Sequence, residues 1–409
     1  MPGTVAAIQH ELQIVTEEIL RSGGFSVQER KMQSAILDKI KRSVARVPRE
    51  DWLVIGWVLA IKLLLFVFGA KSFYVLENRP LRDKCGWLEI WNRWDAIHYQ
   101  HLAQFGYTSS YELKAWLYPL FPWCTRWVAS LSGNYLVSAF IVSGFASVAA
   151  ALLLRRIVQL DYSADVAQRA VWFFLIFPTA YFLHIGYTES LFLALALGSI
   201  MAARWEYWSI AGLLGALSWM TRPNGIILIP TLAVEAGHQY FATKRWQWRW
   251  LWIATVPAGF GIYLFLNWRV TGNPFAFFEI RKPFFGMSTS WPWVGIHQAT
   301  LINLQRAPNE AEMIGAEELY FVALGLVCMI ASWIKLRPLY AMWITGNWFL
   351  VTSATFLVSM PRYSLTMFPI FMLFALLTKN RFWYAVITVW SLLFLALFTV
   401  LFVRGQWAF

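Results

Sequence analysis

The stretch WNRWDAIHYQHLAQFGY, residues 91–107, joins one carboxylate, Asp95, to Arg93, Trp94, His98 and Tyr99. It is too polar to cross a bilayer and too aromatic for an ordinary hydrophilic loop. A carboxylate at an apolar rim can accept a proton from an attacking hydroxyl once a substrate lies within hydrogen-bond reach. A structural ion pair with Arg93 or a nearby lysine is the competing role. Helical spacing puts His98 on the face of Asp95, where it could hold or tune the carboxylate, and turns His101 about 120° away. The D-x-x-H-x-x-H pattern is therefore a poor metal set, and no metal site is expected. Arg93, Trp94, His98 and Tyr99 are candidates for the wall of a substrate site around Asp95.

A second group lies in FPTAYFLHIGYTESLF, which holds His184, Tyr187 and Glu189. Thr188 has the character of an N-cap, and Glu189 would sit in the first turn of the next helix, where the dipole favours it by about 0.3–1 kcal/mol. That role is structural. An ionisable group at membrane depth is also a functional candidate by default, so Glu189 is the second catalytic candidate. His184 and Tyr187 are substrate-binding candidates, although a lone histidine is more often a packed, hydrogen-bonded residue. Arg222 and Asn224 in TRPNG, and Arg362 in MPRYS, form the third group. Neither arginine has an acidic neighbour in sequence, and a phosphate, which guanidinium grips bidentately, is the partner that fits. Snorkelling to headgroups is the alternative. Arg281 and Lys282 are weaker phosphate candidates.

The elements that position these residues follow from composition. Of 409 residues 59% are hydrophobic and only 14% charged, against about 25% charged in an average soluble domain. Most of the chain therefore belongs in lipid. The net charge of +12 is spread between apolar runs, as the positive-inside rule produces, and does not point to nucleic acid. Cys85, Cys124 and Cys328 are too few for a disulfide framework and lack zinc-ligand spacing.

Residues 1–50 contain no apolar core of signal-peptide length, so a soluble start is expected. Residues 1–51 read as a helical hairpin broken at Ser22-Gly23-Gly24, whose basic end, Lys39 to Arg49, could lie on an anionic leaflet or simply in water. Apolar runs then cover roughly 52–74, 135–154, 169–183, 188–203, 207–220, 224–240, 250–268, 317–334, 339–358, 363–378 and 382–403, about eleven expected spans in a transmembrane domain of residues 52–409. Basic residues fall in every second short connection (Arg155 and Arg156, Arg204, Lys244 and Arg245, Lys335 and Arg337, Lys379 and Arg381), which makes those connections cytoplasmic. The amino terminus is then cytoplasmic and the carboxyl terminus outside. The outward connections include two long ones, 75–134 and 269–316, dense in Trp, Phe and Pro and expected to carry interfacial helices. The third and fifth runs reach only about 21–23 Å as helix against a hydrocarbon core of about 30 Å. The loops HIGY and TRP would then stop below the outer surface and floor an outward-facing recess.

RWDAIHYQHLAQFGY with YPLFPW, then FPTAYFLHIGYTESLF, TRPNG and PRY, resemble in that order the PIG-V family of mannosyltransferases and its prokaryotic relatives, over about residues 52–400. The resemblance implies a GT-C glycosyltransferase fold and transfer of a hexose, usually mannose, from a polyprenyl or dolichyl phosphate on the non-cytoplasmic side. In that clan an acidic residue of the first outer loop is the general base, and Asp95 stands at that position. The expected partners are a polyprenyl-phosphate-linked sugar, a lipid or glycan acceptor and membrane lipids. No cofactor is expected, since arginine can neutralise a single leaving phosphate. The expected location is a bacterial inner membrane, with the active site on the outer face. A protein O-mannosyltransferase or glucosyltransferase is the nearest alternative. A flippase coupled through Glu189 and Asp95 would lead one to expect an internal repeat, which the sequence lacks, and a scaffold leaves Arg222 and Arg362 without a purpose.

Overall fold

A computed structural model of the chain describes residues 48–78, 86–108, 117–307 and 315–407. The chain divides into two units, residues 1–53 and 54–409. Of the first, only residues 48–53 are described; apart from its last four residues, the hairpin expected over 1–51 lies outside the described residues. The described backbone is helical, without a strand, and its one β-bridge joins Thr289 to Ala354. Helix is the form in which an apolar run satisfies its own peptide groups in lipid.

In chain order the helices are α1 (Arg49–Glu77), α2 (Asp95–Phe105), α3 (Leu120–Ser132), α4 (Tyr135–Gln159), α5 (Ala164–Leu175), α6 (Glu189–Arg204), α7 (Trp208–Trp219) and α8 (Leu228–Thr243). There follow α9 (Pro257–Thr271), α10 (Ala276–Phe285), α11 (Pro292–Gln305), α12 (Glu317–Lys335), α13 (Pro338–Thr352), α14 (Met360–Thr366), α15 (Pro369–Leu377) and α16 (Arg381–Val403). Each of the eleven apolar runs holds a helix, but five are long and apolar enough to cross a membrane: α1, α4, α9 with the 3-10 turn before it, α12 and α16. The pair α14 and α15, bent by 81°, makes a sixth if it counts as one span.

The other runs give helices of 12 to 16 residues, and proline accounts for several of the stops. A residue before proline is pushed out of the helical region, and proline itself has no N–H to donate. Thus α5 ends at Leu175, just ahead of Phe177-Pro178, and α7 ends at Trp219, just ahead of Arg222-Pro223. The bend between α14 and α15 falls at Phe368-Pro369. The irregular backbone so produced carries His184, Tyr187, Arg222 and Asn224, and it is buried in protein, where a membrane protein tolerates it.

The centre of the second unit is aromatic. Phe177, Phe182 and Tyr187 are fully buried; Phe182 meets Tyr187 with centroids 4.7 Å apart, and Phe177 meets Phe371 of α15 at 5.3 Å. Lipid tails are as apolar as leucine, so such close packing, rather than escape from solvent, holds helices together in a bilayer. The outer faces of α1 and α16 expose Leu63, Leu64, Val389 and Leu393, as lipid contact requires.

Candidate active site

Asp95 opens α2 from a segment fixed on both sides. Tyr187 donates its hydroxyl to the Arg93 carbonyl at 2.8 Å, and Arg93 donates to the carbonyl of Val403 at the end of α16. Trp94 adopts a left-handed φ of 52°, uncommon for a bulky residue, and packs its ring edge-on against Trp407. Fully buried Trp91 lies where a side chain at Gly69 would be, its ring 2.5 Å from the position of an added Cβ. These contacts aim Asp95 while turning Arg93 and Trp94 toward the end of α16.

Asp95 does not pair with Arg93. Its Oδ2 accepts from Arg362 Nη1 at 2.6 Å, and the Arg362 Nε donates to Glu189 Oε1. The same Glu189 oxygen accepts from Arg222 Nη1, which also donates to the Thr188 hydroxyl at 3.0 Å. The two arginines that have no acidic neighbour in sequence thus converge on one carboxylate, 33 and 173 residues away along the chain. Aromatic rings carry the cations: Arg362 lies 4.7 Å from the Tyr187 centroid and 4.9 Å from that of Phe182, and Arg222 lies 5.3 Å from Tyr363. Thr188 holds the N-cap position of α6 without capping it, because its hydroxyl accepts from Arg222 instead.

The two carboxylates differ in access. Glu189 is fully buried, whereas the Asp95 side chain is 39% exposed and lines a cavity of about 220 Å³. Arg222, Arg362, Asn224, Tyr99, Tyr118, Tyr263 and Tyr363 line the same cavity; Phe277, Leu350 and Val351 supply apolar wall. Tyr118 and Tyr263 stack at 4.1 Å with 13° between their planes, which makes one flat aromatic surface. Asn224 donates to Asn347 Oδ1 at 2.7 Å, while its own Oδ1 is buried with no partner among the described residues. The turn that presents Arg222 and Asn224 requires glycine at 225: an added Cβ would lie 2.3 Å from Trp219 Cα.

Arg362 is aimed from below by a residue that sequence reasoning did not select. Buried Glu318, in the first turn of α12, accepts the backbone N–H groups of Ser359 and Met360 at 2.7 Å each. Ser359 has a left-handed φ of 65°, and the pair of bonds fixes the first turn of α14, which carries Arg362 and Tyr363. A carboxylate in the first turn of an apolar helix was the available signal, but it reads equally well as a flank. Tyr118 and Tyr363 lie in YPLFPW and next to Arg362 in PRY; Tyr263 and Asn347, polar groups inside apolar runs, gave the faintest indication.

Of the sequence candidates, Asp95, Tyr99, Arg222, Asn224 and Arg362 come together around the cavity, while Glu189, Tyr187 and His184 do not line it. His184 is fully buried, with neither ring nitrogen partnered among the described residues. His98 is half-buried on α2 and does not line the cavity; burial lowers its pKa more than neighbouring Asp95 raises it. Arg281 and Lys282 fall on α10, and their side chains are outside the described set.

A family model described as Mannosyltransferase (PIG-V) matches residues 83–279, a span that includes Asp95, His184, Glu189, Arg222 and Asn224. No curated protein matches the chain.

Proposed function

We propose that the chain, whose residues 83–279 match the PIG-V mannosyltransferase family model, is a glycosyltransferase of the membrane that transfers a hexose, mannose in the first instance, from a polyprenyl phosphate to an acceptor hydroxyl with inversion. The observation that carries the reading is the convergence of one partly exposed carboxylate, Asp95, and two guanidinium groups, Arg222 and Arg362, on one cavity with an aromatic wall. The reading takes the fold as GT-C with about eleven spans in residues 52–409. It places the site on the outer face of a bacterial inner membrane.

In the proposed step the acceptor oxygen attacks the anomeric carbon while its proton passes to Asp95. The bond from that carbon to the phosphate oxygen breaks, its electron pair remaining on the phosphate. Attack and departure occupy opposite faces of the sugar ring, so the base and the main phosphate grip must be separate groups. Arg362 is in contact with Asp95 and orients it through Oδ2, which leaves Oδ1 to take the proton. Arg222, on the far side of Glu189, is the principal phosphate ligand, and Arg362 adds charge. Glu189 holds both cations and touches neither substrate. Arg281 and Lys282, in the second outer segment, remain the further phosphate candidates. Fixed cations aimed at an oxygen where charge develops stabilise the transition state without reorganisation.

Asp95→Asn tests this directly. It keeps the volume and the hydrogen bond to Arg362 but removes the basic oxygen, so binding of polyprenyl phosphate hexose should persist while single-turnover transfer falls by about a hundredfold or more. Transfer at the wild-type rate by this variant would rule Asp95 out as the base.

A further inference from the structure

A second pocket, of about 490 Å³, lies far from the cavity and takes no part in the proposed chemistry. It is lined by Arg169 of α5, Lys379 and Arg381 at the start of α16, Asp165, Thr378 and three aromatic residues, Trp57, Trp172 and Tyr384. The distance from the reaction centre follows from α16 itself. This helix of 23 residues is about 34 Å long at about 1.5 Å per residue. It begins in this pocket and ends at Val403, the residue to which Arg93 is bonded beside Asp95.

Three cations face a single carboxylate here, and that carboxylate, Asp165, is exposed and paired with Arg169 at 2.7 Å. Arg169 is held in place by a bond to the Thr378 carbonyl. Lys379 follows the end of α15, where a cation suits the helix dipole, but Arg381 occupies the first turn of α16, where there is no acidic residue and where the dipole favours an anion. Arg169 Nε and Trp172 Nε1 are buried donors without a partner among the described residues. The site is thus rich in cations and N–H groups and short of an acceptor. Its aromatic residues state the depth: Trp57 meets Trp172 edge-on at 5.6 Å, and Trp and Tyr collect at headgroup level. Immediately beyond the pocket, α16 exposes Phe382, Val386 and Val389, a surface for acyl chains rather than for water.

We propose that this pocket binds the phosphodiester headgroup of an anionic phospholipid at the end of the helices opposite the catalytic cavity. Arg169, Lys379 and Arg381 receive the phosphate, Trp57, Trp172 and Tyr384 pack on the glycerol region, and the acyl chains run along α16. Basic pockets between membrane helices recognise lipid headgroups through this combination of charge and apolar surface. Inorganic phosphate shares the charge but not the tails, which separates the two sources.

The test uses the full-length protein in dodecyl maltoside, titrated with palmitoyl-oleoyl phosphatidylglycerol or phosphatidylcholine and followed by native mass spectrometry. Wild type should retain phosphatidylglycerol in preference to phosphatidylcholine. The double variant Lys379→Gln, Arg381→Gln should weaken that retention by about tenfold or more, the usual effect of losing charge-assisted phosphate contacts. Both positions are exposed, so the variant should unfold at the wild-type temperature and keep its hexose transfer in phosphatidylcholine micelles. Equal retention of phosphatidylglycerol by the double variant, no preference over phosphatidylcholine, or displacement of the lipid by inorganic phosphate at about 10 mM would each overturn the assignment.

Discussion

On the proposed mechanism, replacing Glu189 by Gln separates a carboxylate that holds the cations from Asp95, the proposed base. In the folded chain Glu189 is fully buried and one of its oxygens accepts from both Arg222 and Arg362. The substitution keeps the shape but removes the negative charge that, among the described residues, both Arg222 and Arg362 share, each about 6% exposed. Breaking a buried pair by neutralising one partner typically costs about 3–5 kcal/mol, because the other charge is left without compensation. That is a large share of a total stability of about 5–15 kcal/mol. Asp95 is the contrasting case: at 39% exposure its ion pair with Arg362 is screened by solvent, and neutralising it should cost about 1 kcal/mol or less. Glu189→Gln should therefore lower the unfolding temperature in detergent clearly and reduce donor binding, whereas Asp95→Asn should leave both near wild type and remove transfer. Fluorescence-monitored unfolding together with single-turnover transfer distinguishes the two. If Glu189→Gln unfolds and binds donor like wild type yet transfers nothing, and Asp95→Asn still transfers, the base is Glu189 and not Asp95.

Arg222→Ala should weaken binding of polyprenyl phosphate hexose by about tenfold to a hundredfold, the range for a charge-assisted contact worth about 1.5–3 kcal/mol; unchanged affinity by equilibrium binding would remove the phosphate assignment. Glu318→Gln should lower the maximal transfer rate more than donor affinity, since it loosens the first turn of α14 that aims Arg362 at Asp95. The measurement is a split between kcat and KM, and an equal change in both would argue against a positioning role. A reporter fused at the carboxyl terminus should be active only outside the cytoplasm; activity inside would overturn both the odd span count and the outer-face placement of the cavity.

The apolar runs, and the charged residues that collect at the cavity, were legible because each obeys a local rule. Asp95, Arg222 and Arg362 were conspicuous as charges where apolar neighbours make charge expensive. Hydropathy averages over a window, however, and so merges a helix with the broken backbone that follows it. The run 169–183 is one apolar stretch in sequence, but its helix stops at Leu175 and its remainder is a loop with a 3-10 turn, because Pro178 intervenes. The convergence of Arg222 and Arg362 on Glu189 was not legible, since it joins α14 to α6 across 173 residues. Nor was the role of Glu318, whose partners are backbone N–H groups that carry no mark in sequence.

The resting cluster contains two guanidiniums, Arg222 and Arg362, and two carboxylates, Glu189 and Asp95, and is electrically neutral. On the proposed reaction this neutrality has a kinetic use. A donor phosphodiester arrives with one negative charge and leaves as a monoester that carries about one further charge at neutral pH, its second pKa being about 6. In the same event Asp95 gains a proton and loses its charge, so the sum over protein and lipid does not change along the reaction coordinate. Arg362 is the joint between the two halves of that exchange. While Asp95 is ionised, the Arg362 Nη1 donor faces a charged acceptor; once Asp95 is protonated at Oδ1, Oδ2 is a neutral and weaker acceptor, and the pull on Arg362 passes toward the phosphate as it gains charge. A lipid phosphate that then departs as the monoanion would carry the proton with it and return the carboxylate to its starting state.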